Sequence, residues 1–264
     1  MPRVKKTTED QGERSKDFLD ALDRSIRVIE KMGSGSPALT LSDIAKMADL
    51  PRPTTKRILY TLSELGYVGN VGRNFALTPK VVRLATSFFG AGGKSRLVQV
   101  ACDEISETTG QACLATVLDD TEVLVVAYAI SQQLMAPYLG VGARFPAFCT
   151  APGRLLLAQM DDNALDAFLA KLEPVAQTDA TVLDKAAIRQ GIVTARAQGF
   201  CVMEDEYIAG WWAVAYPLRR SDGSLFGALS LNCKKSPATT TAELGTYAKL
   251  CAERAKALEP QLGD

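Results

Sequence analysis

The chain holds 264 residues with 30 Lys/Arg against 30 Asp/Glu, and its 47% hydrophobic content suffices for one large or two modest domains. It has no histidine, which excludes Ser-His-Asp and Cys-His catalysis, H-E-x-x-H zinc sites and histidine pH switches in one step. The neutral total hides an asymmetry: residues 1–90 carry 15 Lys/Arg and 10 Asp/Glu, and the rest carry 15 and 20, so a basic front (+5) precedes an acidic back (−5).

Residues 1–16 (MPRVKKTTEDQGERSK) are polar and of mixed charge, unlike a signal peptide, and are expected to form a flexible lead-in. Apolar runs are short, Val123–Ile130 being typical, against the ~18 residues a transmembrane helix requires. A cytoplasmic protein without membrane contact is expected. The six cysteines are dispersed with no C-x-x-C pair, which reads as reduced core thiols rather than a disulfide framework.

Asp17–Met32 carries apolar residues at 18, 19, 22, 26 and 29, an amphipathic helix expected to back the segment that follows. That segment, Thr40–Pro79, holds two helical patterns joined by a proline-marked turn. Thr40 and Asp43 have the spacing of a capping box, and Ile44, Met47 and Ala48 share a helix face. Leu50-Pro51 ends this helix, because the residue before proline is pushed out of the α region. Pro53 suits the first turn of the next helix. Ile58, Leu59, Leu62 and Leu65 are its expected buried stripe, and Gly66 its natural stop. Arg52, Thr54, Thr55, Lys56 and Arg57 cluster at its start. Short strand patterns at Tyr67-Val68 and Phe75–Leu77 flank Gly72-Arg73-Asn74, which puts Arg73 at the tip of a hairpin.

Helix, turn, basic-started helix and hairpin in this order are the layout of a winged helix-turn-helix, which contacts double-stranded DNA through the N-terminal residues of its second helix. The plain alternative is a helical hairpin with a solvated charged face. The joint occurrence of cap, turn, basic start and wing favours DNA, with Arg52, Thr54, Thr55, Lys56, Arg57 and Arg73 as candidate contacts.

Pro79–Phe89 reads as a linker helix and Gly90–Gly93 as a hinge. Gly92-Gly93-Lys94-Ser95 has the ending of a phosphate-binding loop, but Phe88 stands where the motif needs glycine and no strand precedes it. Gly33–Ser36 reads as a flexible connection. Beyond the hinge, Ser95–Thr109, Gly153–Met160, Asn163–Ala170, Asp184–Gln198 and Thr240–Leu258 have helical patterns. Ala112–Leu118, Glu122–Ile130, Phe200–Met203, Trp212–Leu218 and Leu225–Leu231 have strand patterns, with Asp119-Asp120 as a turn. Antiparallel pairs with helices between them make an α+β sheet domain, a fold that offers a small-ligand pocket. The expected organisation is a lead-in (1–16), a winged helix-turn-helix domain (17–78), a linker helix and hinge (79–93), and an effector-binding, oligomerising domain (94–264).

In the second half, residues 145–154 end in a helix start whose N–H groups, with Arg154, suit an anion; Arg154 facing a carboxylate of the Glu204-Asp205-Glu206 run fits equally well. Trp211 and Trp212 supply either a flat ligand wall or core packing. Ser230 and Asn232, two apart, point to one strand face. No metal-ligand cluster or catalytic constellation stands out, and no cofactor is expected.

Three segments, LTLSDIAKMADLPRPTTKRILYTLSELGYV, RFPAFCTAPGRLLLAQM and GFCVMEDEYIAGWWAVAYPLRRSDGSLFGALSL, together give a wider likeness. Over roughly Phe18–Leu258 the chain resembles the isocitrate lyase regulator (IclR) family of bacterial transcription factors. The resemblance implies a winged-helix DNA-binding domain, a linker helix, a GAF-like effector domain, and dimers often paired into tetramers. AFCTAPGRLLLA resembles the branch regulating aromatic catabolism, including the protocatechuate and 4-hydroxybenzoate regulators. The family's effector pocket carries over to Ala151, Pro152, Met203, Ala213, Ser230 and Asn232. Where the branch has Leu-Arg-Ser, this chain has Trp211-Trp212-Ala213, which removes a carboxylate-binding arginine.

The expected protein is therefore a homo-oligomeric regulator, not an enzyme, that binds operator DNA and answers to a small aromatic or carboxylic effector. Two rivals stand beside it: a small-molecule enzyme domain with an accessory DNA tether, and a constitutive architectural DNA binder.

Overall fold

The computed structural model describes residues 16–33, 36–84, 94–130, 140–235 and 240–263. Two compact units, Met1–Ala91 and Gly92–Asp264, make up the chain. The hinge at Gly90–Gly93, residues 34 and 35 of the Gly33–Ser36 connection and the end of the expected linker helix lie outside the described residues. Its start is a 3-10 turn, Pro79–Val81, capped by the Thr78 hydroxyl.

The first unit contains α1 (Asp20–Gly33), α2 (Leu41–Met47), α3 (Arg52–Glu64), β1 (Val68–Val71) and β2 (Asn74–Leu77). The capping box forms as spaced: Asp43 N–H donates to Thr40 Oγ1 and Thr40 N–H to Asp43 Oδ2, both at 3.2 Å. Gly66, at φ 75°, lets α3 end in a Schellman turn, in which Tyr67 N–H reaches back to Leu62 O at 2.9 Å. β1 and β2 pair antiparallel from Val68–Leu77 to Val71–Asn74 around a two-residue Gly72-Arg73 turn. Leu39 bridges antiparallel to Phe75 and brings a third chain segment to the wing.

Two expectations need correction in this unit. α1 packs through Val28, Ile29 and Met32, while Phe18, Leu19, Leu22 and Ile26 remain exposed. The inward set, buried Val28 and Met32 with half-buried Ser25 and Ile29, also has helical spacing, and tertiary docking selected it over the more apolar face. Leu65 is the C-cap of α3 and is 53% exposed, so the buried stripe stops at Leu62.

The second unit is a six-stranded, wholly antiparallel sheet in the order β5-β4-β3-β8-β7-β6. Its elements are α4 (Lys94–Thr109), β3 (Ala112–Asp119), β4 (Glu122–Ala129), β5 (Arg144–Pro146), α5 (Ala151–Leu157), α6 (Asp162–Lys171), α7 (Lys185–Gln198), β6 (Cys201–Glu204), β7 (Trp211–Arg219), β8 (Leu225–Lys234) and α8 (Thr241–Leu258). α4 packs on β3 and β4, and α8 on β7 and β8. α5 is buried along its whole length against the sheet and α7. The β3–β4 turn is Asp120-Thr121, one residue later than expected, with Asp120 at φ 61°. β5 went unread in the sequence because it is three residues long and ends in proline, which suits only an edge. Gly153 is where the 3-10 turn Ala147–Cys149 folds onto α5: a Cβ there would sit 2.2 Å from Ala147 O.

Candidate functional site

On the first unit, Arg52, Lys56 and Arg57 are exposed along the start of α3, Thr54 is half-buried, and Arg73 is exposed at the hairpin turn. Among the described residues, none of the four cations pairs with a carboxylate of the chain. Their charge is therefore available to a polyanion. Thr55 is the exception among the expected contacts. It is fully buried, and its hydroxyl donates to Pro51 O at 3.2 Å, so it belongs to the unit's core. Tyr60, 67% exposed one turn beyond Lys56, shares the outward face and was missed, because an aromatic in a helical pattern reads as core.

The second unit has a cavity of about 480 Å³ on the sheet face opposite α4 and α8. Register explains its floor. Residues directly opposite in antiparallel strands share a face, so Ala112, Asn232, Ala213 and Met203 form one row across β3, β8, β7 and β6. Leu114, Ser230 and Ala215 form the next row. Ala151 and Pro152 close one wall at the start of α5. The same alternation separates the tryptophans. Trp211 lines the cavity in phase with Ala213, whereas Trp212 pairs with Cys233, lies on the opposite face and is 6% exposed. Trp212 is thus removed from the candidate ligand contacts.

Arg154 is removed as well. Its Nε donates to Phe148 O at 2.7 Å, and one terminal nitrogen pairs with Glu206 Oε2 at 2.6 Å, with both side chains largely buried. Of the two sequence readings, the carboxylate partner is the one realised, and Arg154 does not line the cavity. α5 is only seven residues long, too short to stand alone as an anion site.

The rim is the loop after β6. Asp205 sits at φ 59° and accepts from Gly210 N–H at 2.7 Å and from Lys235 Nζ at 2.6 Å. The Lys235 and Gly210 bonds hold the Asp205 carboxyl below its usual range. Thr178 and Thr181 donate to the Asp205 and Glu206 carbonyls at 2.6 and 2.7 Å. Tyr207 meets Phe145 edge-on, ring centroids 5.3 Å apart, and burial raises its phenol pKa. Burial likewise pushes the Cys149 thiol up to about 12.

Leu114, Thr116, Asp205, Tyr207 and Ile208 all line the cavity and were missed, whereas Phe145 belongs to the 145–154 run considered for its lining. Leu114 and Thr116 read as ordinary alternating strand residues. The others come from the loop after β6, which carries no periodic signal. Among the described residues no group of three or more His, Cys, Asp or Glu is placed to hold a metal. No described helix is long and apolar enough to cross a membrane.

A winged helix-turn-helix unit followed by an α+β unit with a cavity defines the class: a ligand-responsive DNA-binding regulator. Residues 21–72 match the IclR helix-turn-helix domain, and residues 95–259 match the bacterial transcriptional regulator IclR C-terminal domain. The chain is 32% identical over 217 residues to the Pca regulon regulatory protein of Pseudomonas putida, covering 82% of this chain and 75% of that protein. It is 26% identical to the p-hydroxybenzoate hydroxylase transcriptional activator of Acinetobacter baylyi, covering 83% and 82%. The crystal structure of an IclR homolog complexed with 4-hydroxybenzoate, from Microbacterium hydrocarbonoxydans, superposes with a TM-score of 0.74 at 23% identity, over 90% of this chain and 99% of that one. The chain belongs to the IclR family of bacterial transcriptional regulators, and it is a regulator rather than an enzyme.

Proposed function

We propose that the protein controls genes of aromatic-compound catabolism, and that a small aromatic or carboxylic metabolite in the C-terminal cavity sets its occupancy of operator DNA in the cytoplasm. The observation that carries this reading is the cavity itself: flat apolar walls from Phe145, Tyr207 and Trp211 above a floor bearing Ser230 and Asn232. The names of the Pseudomonas and Acinetobacter relatives point to the same chemistry. Ala151, Pro152, Met203, Trp211, Ala213, Ser230 and Asn232 are its effector contacts. Arg52, Thr54, Lys56, Arg57 and Arg73 contact double-stranded DNA, in a homodimer or tetramer. Two recognition helices related by a two-fold axis then read half-sites ~34–36 Å apart. Effector binding changes occupancy only by favouring one arrangement of the winged units over another, and the segment from Pro79 onward is the lever.

The test uses the full chain with a panel of aromatic acids, alcohols and aldehydes. At least one should raise the melting temperature and change the mobility shift of operator DNA. Ser230→Leu should abolish the thermal shift while the unliganded melt stays cooperative. A panel that moves neither quantity would overturn the effector reading and leave a constitutive DNA binder.

A further inference from the structure

The cavity floor holds a polar group that nothing in the fold uses. Thr116 lines the cavity, is 1% exposed, and its Oγ1 has no hydrogen-bond partner; it is the one such buried side-chain atom among the described residues. A buried hydroxyl left unpaired is uncommon and calls for a missing partner. It continues the Ala112–Leu114 alternation of β3 onto the cavity face, beside the β3–β4 register shift that leaves Val126 of β4 as the extra residue. Across β8 it is diagonal to Ser230, because Thr116 pairs with Ala228 and Leu114 with Ser230. Ser230 Oγ donates weakly to Leu114 O at 3.4 Å and accepts from Asn232 Nδ2 at 3.3 Å. Thr116, Ser230 and Asn232 thus form an uncharged line of hydroxyl, hydroxyl and amide.

The charged groups tell the other half. None of the described residues lining the cavity is cationic, and two, Asp205 and Glu206, are carboxylates. Arg154, two residues beyond Pro152, is held by Glu206 and Phe148 O and packed against Gly191, where a Cβ would meet its guanidinium at 3.0 Å. Arg144, beside Phe145, is held by Asp119 and Glu122, both at 2.7 Å. Lys235 is held by Glu204 and Asp205 at 2.8 and 2.6 Å. A carboxylate entering this space would lose its hydration and gain no ion pair, because Arg154 and Lys235 are already committed to Glu206 and Asp205. A neutral ring with a hydroxyl loses little and finds both donors and acceptors on the floor.

The geometry points to an uncharged hydroxylated aromatic, not an aromatic carboxylate, as the effector class, with Thr116 Oγ1 as the contact that anchors its hydroxyl. This rests on the effector reading of the cavity proposed above. The hydroxyl–hydroxyl contact also gives Thr116 a discriminating role, since a ring lacking the group would leave Oγ1 unpaired.

The test is calorimetric titration of the full chain at neutral pH with two probes of nearly equal shape, 4-hydroxybenzyl alcohol and 4-hydroxybenzoate. The alcohol should bind at least tenfold more tightly. Thr116→Val should lower its affinity at least tenfold, and Thr116→Ser, which keeps the hydroxyl, should restore most of it. If Thr116→Val does not fold, Thr116→Ala against Thr116→Ser makes the same comparison. Equal or tighter binding of the carboxylate overturns the proposal and leaves the effector reading standing. Unchanged alcohol affinity in the valine variant overturns the Thr116 assignment, leaving an ordered water as its partner. Failure of both probes to bind the parent, while another compound of the panel does bind, overturns the proposal alone; a panel of which no member binds overturns the effector reading with it.

Discussion

Arg154 and Glu206, 52 positions apart, form a largely buried ion pair at 2.6 Å that ties the start of α5 to the loop over the cavity. Glu206 Oε2 also accepts from Val182 N–H at 3.3 Å, so one carboxylate joins α5, the rim loop and the segment before α7. Glu206→Ala would strand the guanidinium, and such breakage of a buried pair costs about 3–5 kcal/mol. Urea denaturation of the full chain should show that loss in the second unit. The double change Arg154→Met, Glu206→Leu should recover part of it, because no buried charge is then left alone.

The two tryptophans, the only ones in the chain, should separate cleanly by fluorescence. Trp211 lines the cavity and Trp212 is buried on the other sheet face. Quenching on addition of a bound aromatic should therefore persist in Trp212→Phe and vanish in Trp211→Phe. Trp212→Ala should destabilise the unit by about 3–5 kcal/mol, the usual cost of emptying a buried aromatic site.

On the first unit, Arg57→Ala should weaken DNA binding and lower the salt-dependence slope by about 1 if the side chain meets a phosphate, with a similar loss on every sequence. Thr55→Ala should behave differently. Its hydroxyl is buried against Pro51 O, so stability should fall while the salt slope of DNA binding stays unchanged. Mobility shifts across a salt series distinguish the two outcomes.

The capping box predicts an acid-sensitive contribution to the winged unit. The Thr40 hydroxyl, and then its backbone N–H, lower the Asp43 carboxyl from its ordinary value of 3.8. A group whose folded pKa is depressed stabilises above its unfolded pKa and loses that stability as pH falls through the folded one. The stability gap between the parent and Asp43→Ala should thus be full at neutral pH and shrink below about pH 4. A gap independent of pH would show that the carboxylate is not the active group.

All six cysteines are buried and free. Burial pushes the Cys149, Cys201 and Cys233 thiols up to about 12. Against an ordinary thiol near 8.5, that suppresses thiolate by on the order of 10³-fold. Iodoacetamide should label these three in the native protein far more slowly than in guanidinium, where mass spectrometry should find six adducts per chain.

Local chemistry made the first unit readable in sequence. The Thr40–Asp43 cap, the Leu50-Pro51 break, the Gly66 stop and the Gly72-Arg73 turn each act within a few residues, so spacing alone determined helix, turn, helix and wing. The motif-bearing segments likewise determined the family. What the tertiary structure decided depends on partners distant in the chain. Docking, not periodicity, chose which face of α1 is buried, put Thr55 inside and left Tyr60 out. The register of β7 against β8 sent Trp211 to the cavity and Trp212 away, because a one-residue shift reverses every side chain. Glu206, reached only through the fold, took Arg154 out of the site, and the packing around β3 left the Thr116 hydroxyl without a partner on the cavity floor.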